Sequence, residues 1–178
     1  MNIPNFLTLV RIALIPLFVF IYSDPTPFRA FWATVAFLVA SLTDFLDGYL
    51  ARKRGEVTDF GKIMDPVADK LLIISALILL VYHQRVEAWI AVILIGREMA
   101  VTGLRAVVSR EGVIIPADKW GKYKMGAQVT AISFLLWNLG APFNFRLLGT
   151  IFLWFSLILS IYSGVQYFVS YGRTSFRK

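Results

Sequence analysis

Apolar residues form long runs along the chain, and most of the charged residues fall in the short segments between these runs. A helix that crosses the hydrocarbon core of a bilayer needs about 20 mostly apolar residues. Proline and glycine residues separate several of the runs, as expected at turns between helices. We therefore predict an all-α, polytopic membrane protein. Its six predicted transmembrane helices are Phe6–Tyr22, Phe28–Ala51, Val67–Tyr82, Val86–Val108, Met125–Leu139 and Leu147–Tyr171.

The composition also indicates a membrane protein. Hydrophobic residues make up 58% of the 178 residues, and the mean hydropathy is +0.69. Soluble domains are only about 45–50% apolar. A soluble fold of this length has too little interior to bury so much apolar surface, so part of that surface must face lipid. We predict a single transmembrane domain over residues 1–178, without a soluble domain.

The basic residues predict the orientation of this domain. The net charge is +7, and most lysines and arginines fall on one side of the predicted membrane. They are Arg52, Lys53, Arg54, Lys62, Arg105, Arg110, Lys119, Lys122, Lys124, Arg173, Arg177 and Lys178. The positive-inside rule places this side, and both termini, in the cytoplasm. We therefore expect a protein integral to the cell (inner) membrane.

Two further expectations follow from the positive charge. In so apolar a chain, an excess of basic residues suits membrane lipids and phosphorylated substrates, and we expect no nucleic-acid partner. We interpret Lys124 and the C-terminal Arg173, Arg177 and Lys178 as ordinary positive-inside charge whose side chains reach the headgroups.

Four aspartates carry the most informative chemistry in the sequence. Asp44 and Asp47 are three residues apart on the second predicted helix, and Asp65 and Asp69 are four apart at the start of the third. Each pair shares a helix face. Since a short loop joins the two helices, we expect antiparallel neighbours whose four carboxylates converge just inside the cytoplasmic boundary of the membrane.

Such a cluster predicts a metal site. Four acids at this depth repel one another and are costly to ionise, and bound cations remove both costs. Carboxylate oxygens suit Mg²⁺ or Mn²⁺, and two such ions bridged by carboxylates are a known arrangement for phosphoryl chemistry. The chain has no cysteine and one histidine, His83, which excludes thiolate and multi-histidine sites. We assign His83 no function.

Other interpretations of the acidic cluster remain open. The acids could form a structural ion-pair network with nearby Arg52, Lys53, Lys62 and Lys70. A membrane prenyltransferase also uses aspartates and Mg²⁺ on a diphosphate. A cation transporter is a third alternative. Intramembrane acids are usually functional, which favours catalysis or transport over the structural network.

The pattern DxxDGxxAR-x8-GxxxDxxxD, from Asp44 to Asp69, resembles the signature of the CDP-alcohol phosphotransferases. The resemblance implies that two divalent metal ions are held by Asp44, Asp47, Asp65 and Asp69. It also implies that Asp69 is the general base. The residues implied to bind the CDP-lipid are Gly48, Ala51, Arg52 and Gly61. A glycine or alanine lets a ligand approach the backbone, and an arginine can bind phosphate oxygens.

A second resemblance concerns the acceptor. The stretches GREMAVTGLR and ADKWGKYKM and the opening Pro4–Arg11 are similar to those of bacterial family members that form phosphatidylglycerophosphate. The implied donor is CDP-diacylglycerol, the implied acceptor is sn-glycerol 3-phosphate, and the family resemblance implies a homodimer. A dianionic acceptor needs a basic pocket, for which the candidates are Arg105, Arg110, Lys119 and Lys122. Cardiolipin, phosphatidylserine or phosphatidylinositol synthesis remains open within the family.

Polar residues inside two apolar helices need separate explanations. Asn5, Thr8 and Arg11 follow one face of the first helix and are candidates for the CDP-lipid site. Helix capping by Asn5 and snorkelling by Arg11 explain them equally well. Arg97 lies deep in the fourth helix, where a charge must face protein or a watery cavity. Glu98 is about 100° away around the helix and need not pair with Arg97.

Overall fold

The computed structural model describes residues 3–54, 59–110, 119–138 and 143–175. Side chains at 3–7, 44–54, 59–63, 65, 109–110, 119 and 173–175 lie outside this description. The described ranges form six α-helices and contain no strand. The helices are α1 Ile3–Tyr22, α2 Pro27–Arg54, α3 Asp59–Tyr82, α4 Ala88–Arg110, α5 Lys119–Trp137 and α6 Phe145–Ser175. The predicted all-α class is confirmed.

Several helices extend beyond the apolar segments that predicted them. The largest difference is at α3, which begins at Asp59 although the prediction placed its start at Val67. Asp65 and Asp69 therefore lie within α3 and not at its beginning. The start of α5 likewise precedes the predicted Met125. Hydropathy measures only the apolar part of a helix, so it misses a polar turn that continues the same helix.

The six helices pack around a core of buried aliphatic and aromatic side chains. α1 packs against α2 and α3, α5 against α6 and α2, and α4 against α6. α3 also contacts α2, α4 and α5. Buried alanines such as Ala33, Ala76 and Ala131 allow close approach of the helices. Gly149 of α6 has the same effect, because a Cβ there would lie 2.7 Å from Cγ of Leu135.

At one end of the bundle, polar contacts connect a turn to two of the helices. Nε2 of His83 lies 3.1 Å from the backbone oxygen of Tyr22. Arg85 donates a hydrogen bond from Nη1 to the backbone oxygen of Leu135, at 2.9 Å. These contacts link the α3–α4 turn to α1 and α5. His83 therefore has a structural contact here, at a residue for which the sequence predicted no function.

Large apolar side chains cover much of the outer surface of the helices. Phe20, Ile78, Val92, Ile158 and Val165 are each more than half exposed. Apolar exposure on this scale is typical of a protein that contacts lipid. By length and composition, one helix in the described ranges is long and apolar enough to cross a membrane, over Phe145–Gly172. Shorter apolar helices cover Thr8–Tyr22 and Pro27–Thr43.

Candidate active site

A cavity of about 440 Å³ lies between α3, α4 and α5. Among the described residues, no Cα atom of α4 lies within 8 Å of a Cα atom of α5, which leaves room between these consecutive helices. Apolar side chains such as Ile73, Leu77 and Leu94 line part of the wall. The charged and polar lining comprises Asp69, Lys70, Arg97, Glu98, Arg105, Lys122, Lys124 and Gln128. The cations of such a cavity can bind a phosphorylated ligand, and a carboxylate in its wall can accept a proton from that ligand.

Asp69 is the one predicted metal ligand whose side chain the structure describes. It is half-buried on α3 and lines the cavity. Its carboxylate lies near enough to Lys124 for an electrostatic interaction. Asp69 therefore faces the same space as the basic residues, as its predicted role as a base requires.

For the other predicted metal ligands, the structure shows only the helix to which each residue belongs. Asp44 and Asp47 belong to α2, and Asp65 belongs to α3, one turn before Asp69. Their side chains lie outside the description. The two helices contact each other, which confirms that they are neighbours. Among the described side chains, no group of three or more His, Cys, Asp or Glu residues is placed to hold a metal ion. Convergence of the four carboxylates stays a prediction.

The predicted CDP-lipid residues fall on three helices. Gly48, Ala51 and Arg52 belong to α2, Gly61 to α3 and Asn5 to α1, all at positions whose side chains are not described. Thr8 is described and is fully buried. Arg11 is also fully buried, so the alternative in which Arg11 snorkels to the headgroups is wrong. The buried face of α1 is directed toward protein, since α1 packs against α2 and α3.

Two of the four predicted acceptor residues line the cavity. They are Arg105 on α4 and Lys122 on α5. Both residues are also exposed to solvent. The guanidinium carbon of Arg105 lies 5.1 Å from the ring centroid of Tyr167. Arg110 ends α4 and Lys119 begins α5, but their side chains lie outside the description. The structure therefore brings Asp69, Arg105 and Lys122 to one cavity.

Lys124 corrects one interpretation from the sequence. The sequence favours a snorkelling, positive-inside lysine here, but Lys124 is 5% exposed and lines the cavity. Its ammonium group donates a hydrogen bond to the Glu98 carboxylate. A buried lysine with a carboxylate partner retains its charge at far lower cost than an unpaired one. Helical spacing could have indicated this orientation of Lys124, because it shares with Gly121 and Gln128 the α5 face that lines the cavity.

Arg97 and Glu98 are also part of the cavity wall. Nη1 of Arg97 lies 3.3 Å from Oε2 of Glu98, so these adjacent residues do form an ion pair. The long arginine side chain makes this contact although the two Cα–Cβ bonds diverge. Nε of Arg97 donates to the backbone oxygen of Ser160 at 2.9 Å, and Nη2 donates to Oγ of Ser163 at 2.6 Å. The expectation that Arg97 faces protein or a cavity is confirmed.

An all-α bundle with a charged cavity and an α2–α3 aspartate motif agrees with the family that the motif resembles. The family model of the CDP-alcohol phosphatidyltransferases matches residues 1–162, and the chain belongs to this family. Curated relatives match over nearly their whole length and carry the name CDP-diacylglycerol–glycerol-3-phosphate 3-phosphatidyltransferase. The relative from Bacillus subtilis (strain 168) is 41% identical, over 94% of this chain and 93% of its own.

Two further relatives bear the same name. The protein from Haemophilus influenzae is 42% identical over 93% of this chain and 91% of its own length. The protein from Rickettsia bellii is 38% identical over 94% of this chain and 93% of its own length. The stretches GREMAVTGLR and ADKWGKYKM resemble those of family members that form phosphatidylglycerophosphate. The names of these relatives agree with that resemblance.

Proposed function

We propose that this protein is a membrane-embedded transferase that moves the phosphatidyl group of CDP-diacylglycerol to sn-glycerol 3-phosphate. The products are phosphatidylglycerophosphate and CMP, and the reaction belongs to phospholipid biosynthesis. Relatives that carry this activity in their names match along almost the whole chain. The structural observation that supports the proposal most directly is that Asp69, Arg105 and Lys122 line one cavity.

The proposed reaction is a direct displacement. A carboxylate oxygen of Asp69 takes the proton from the acceptor hydroxyl, whose oxygen then forms a bond to the β-phosphorus of the CDP-lipid. The bond from that phosphorus to the bridging oxygen breaks, and CMP leaves with this oxygen. The chain forms no covalent intermediate. Because Asp69 is half-buried in the cavity wall, its carboxylate accepts the proton of the bound acceptor hydroxyl rather than exchanging protons with bulk water.

Two divalent ions, Mg²⁺ or Mn²⁺, fit the chemistry of the donor set. Asp44, Asp47, Asp65 and Asp69 would hold them, and all four offer the hard oxygen ligands that these ions prefer. When bound, such ions neutralise the diphosphate and the charge that develops on the leaving phosphate. Gly48, Ala51, Arg52 and Gly61, together with Asn5 and Thr8, are the residues that we propose bind the CDP-lipid.

The acceptor phosphate is proposed to bind the basic side of the cavity. Arg105 and Lys122 face it, and Arg110 and Lys119 belong to the adjoining helix ends. A phosphate dianion gains several charge-assisted hydrogen bonds there, which a neutral alcohol lacks. For this reason we expect an acceptor with its own phosphate to be favoured over glycerol, inositol or serine.

The membrane arrangement is also part of the proposal. We propose that all six helices span the inner membrane, with both termini and the active site at the cytoplasmic face. The exposed apolar side chains on the helices and the basic residues on one side support this arrangement. Membrane lipids then surround the bundle, and a homodimer remains the expectation that the family resemblance implies.

Release of CMP from purified protein tests the function. CDP-diacylglycerol is supplied with sn-glycerol 3-phosphate, glycerol, inositol, serine or phosphatidylglycerol, each with and without EDTA. We expect CMP release with sn-glycerol 3-phosphate, and loss of that release in EDTA until Mg²⁺ or Mn²⁺ is restored. Release with another acceptor alone would assign a different member of the family. Turnover of a prenyl diphosphate, or cation flux in liposomes without CMP release, would contradict the proposal.

A further inference from the structure

Four residues of α6 form one buried face behind the arginines of the cavity. Ser160, Ser163, Gly164 and Tyr167 are spaced i, i+3, i+4 and i+7, which places them on the same side of the helix. All four are buried, and none of them lines the cavity. α6 packs against α4, which carries Arg97 and Arg105.

Arg97 is fixed by the first three of these residues. Nε donates to the backbone oxygen of Ser160, and Nη2 donates to Oγ of Ser163 at 2.6 Å. Gly164 provides space for the side chain, because a Cβ there would lie 3.3 Å from both Cγ and Nε of Arg97. With Nη1 on Glu98, the guanidinium has contacts on several sides and one defined orientation.

Arg105 is fixed by the fourth residue. Its guanidinium carbon lies 5.1 Å from the ring centroid of Tyr167, within the range of a cation–π interaction. Tyr167 is 7% exposed, so close packing restricts its ring, whereas Arg105 is an exposed residue on the cavity wall. A long exposed arginine otherwise loses rotamer freedom when it binds a ligand, and an ordered ring beside it reduces that loss.

We propose that Ser163, Gly164 and Tyr167 are positioning residues that hold Arg97 and Arg105 in place and so set the affinity for a phosphorylated acceptor. The inference rests on the proposed function, and it adds α6 to the elements that determine acceptor selection. The three residues do not touch the substrate. Their effect is to orient two guanidinium groups before the acceptor phosphate arrives.

Two substitutions at Tyr167 separate the ring from the hydroxyl. Tyr167→Leu removes the cation–π partner, and we expect the KM for sn-glycerol 3-phosphate to rise about fivefold. The KM for CDP-diacylglycerol and the melting temperature in detergent stay close to wild type. Tyr167→Phe retains the ring and should retain the wild-type acceptor KM. An unchanged acceptor KM in Tyr167→Leu, or an equal rise in both KM values, would overturn the proposal, as would a Phe variant as impaired as the Leu variant.

A glycine pair on the same helix provides a matched comparison. In Gly164→Ala the new methyl group displaces the Arg97 side chain by a few tenths of an ångström from its serine partners. We expect the acceptor KM to rise at least about twofold. Gly172→Ala is the control, because a Cβ at Gly172 has no neighbouring atom within 4 Å. Equal acceptor KM values in the two variants would contradict the role of Gly164.

A binding measurement separates this proposal from the proposed function. Calorimetry with sn-glycerol 3-phosphate, and with inorganic phosphate, reports affinity without turnover. If wild type releases no CMP but Tyr167→Leu binds phosphate about fivefold more weakly, the function fails and the positioning role stands. If wild type releases CMP and the variant binds both ligands as wild type does, the positioning role fails and the function stands. Absence of both turnover and phosphate binding in wild type would contradict both.

Discussion

Lys124 of α5 donates a hydrogen bond to the carboxylate of Glu98 on α4, across the cavity. In the described part of the chain, no Cα atom of α4 lies within 8 Å of a Cα atom of α5. A direct link between these helices is therefore made by side chains. Arg97 contacts the same carboxylate and continues the link to Ser160 and Ser163 of α6.

We expect that Glu98→Gln destabilises the protein by about 1.5–3 kcal/mol, the usual contribution of a hydrogen bond to a charged group. The substitution removes the carboxylate to which the buried ammonium group of Lys124 donates its hydrogen bond. Lys124→Met removes the buried charge itself, so its cost should be smaller, and the double variant should be less unstable than Glu98→Gln alone.

Unfolding in detergent, followed by circular dichroism, measures these differences. Glu87→Gln is the matched control, because Glu87 is exposed just before α4 and the same charge is removed. Its stability should equal that of wild type. If Glu98→Gln is as stable as Glu87→Gln, the ion pair contributes nothing and the link across the cavity is unimportant.

The six helices of the described ranges could be predicted because long apolar runs separated by polar and turn-forming residues favour helices. The polar beginnings of α3 and α5 could not, since a hydropathy pattern ends where the apolar residues end. Asp59 therefore begins a helix that was predicted to start at Val67. Asp65 and Asp69 are therefore held inside a helix and do not lie at its first turn.

The position of Asp69 at the cavity was predictable from the spacing of the motif, whereas the partners of the basic residues were not. Asp69 was assigned from its motif position and does line the cavity. The sequence favours a headgroup-facing side chain at Lys124, because no local pattern links it to Glu98, which is 26 residues away. The α6 face with Ser163 and Tyr167 was missed for the same reason. Long-range pairing depends on helix packing, which one sequence does not reveal.

Close packing of α5 and α6 predicts an unusual effect of a small substitution. Alanine stabilises an exposed helix position by up to about 1 kcal/mol relative to glycine. At Gly149, however, the new Cβ would lie 2.7 Å from Cγ of Leu135, so Gly149→Ala should destabilise the protein by about 1–3 kcal/mol. Melting temperature in detergent reports the difference.

A control variant and a compensating second substitution test this prediction further. Gly172→Ala on the same helix has no neighbouring atom within 4 Å and should be neutral or slightly stabilising. Leu135→Ala opens space, so the Gly149→Ala/Leu135→Ala double variant should lose less stability than the two single changes together. A Gly149→Ala protein as stable as Gly172→Ala would exclude the steric contact.

Asp69→Asn tests the proposed base. An amide of the same shape cannot accept the proton, and general-base catalysis contributes about 10²–10⁴-fold to a rate. We expect kcat to fall by this order while the affinity for CDP-diacylglycerol, measured by calorimetry, is retained. Full turnover in Asp69→Asn would remove the base assignment without affecting the family.

Asp47→Ala tests the proposed metal site by a different readout. Loss of one carboxylate from a shared site should lower the affinity for Mn²⁺, measured by titration of the protein, and activity should fall with it. Asp24→Ala is a suitable control, because Asp24 is an exposed residue that pairs with Arg29. Unchanged Mn²⁺ affinity in Asp47→Ala would show that Asp47 is not a ligand.

Arg110→Ala tests the extent of the acceptor site beyond the residues whose side chains are described. A hydrogen bond to a charged group contributes about 1.5–3 kcal/mol, so the KM for sn-glycerol 3-phosphate should rise about 10- to 100-fold. The KM for CDP-diacylglycerol should change much less, because the donor is assigned to α1, α2 and α3. Arg29→Ala, at the opposite end of the bundle beside Asp24, removes the same charge and should leave both KM values unaltered. If Arg110→Ala leaves the acceptor KM at its wild-type value, the basic pocket ends at Arg105 and Lys122.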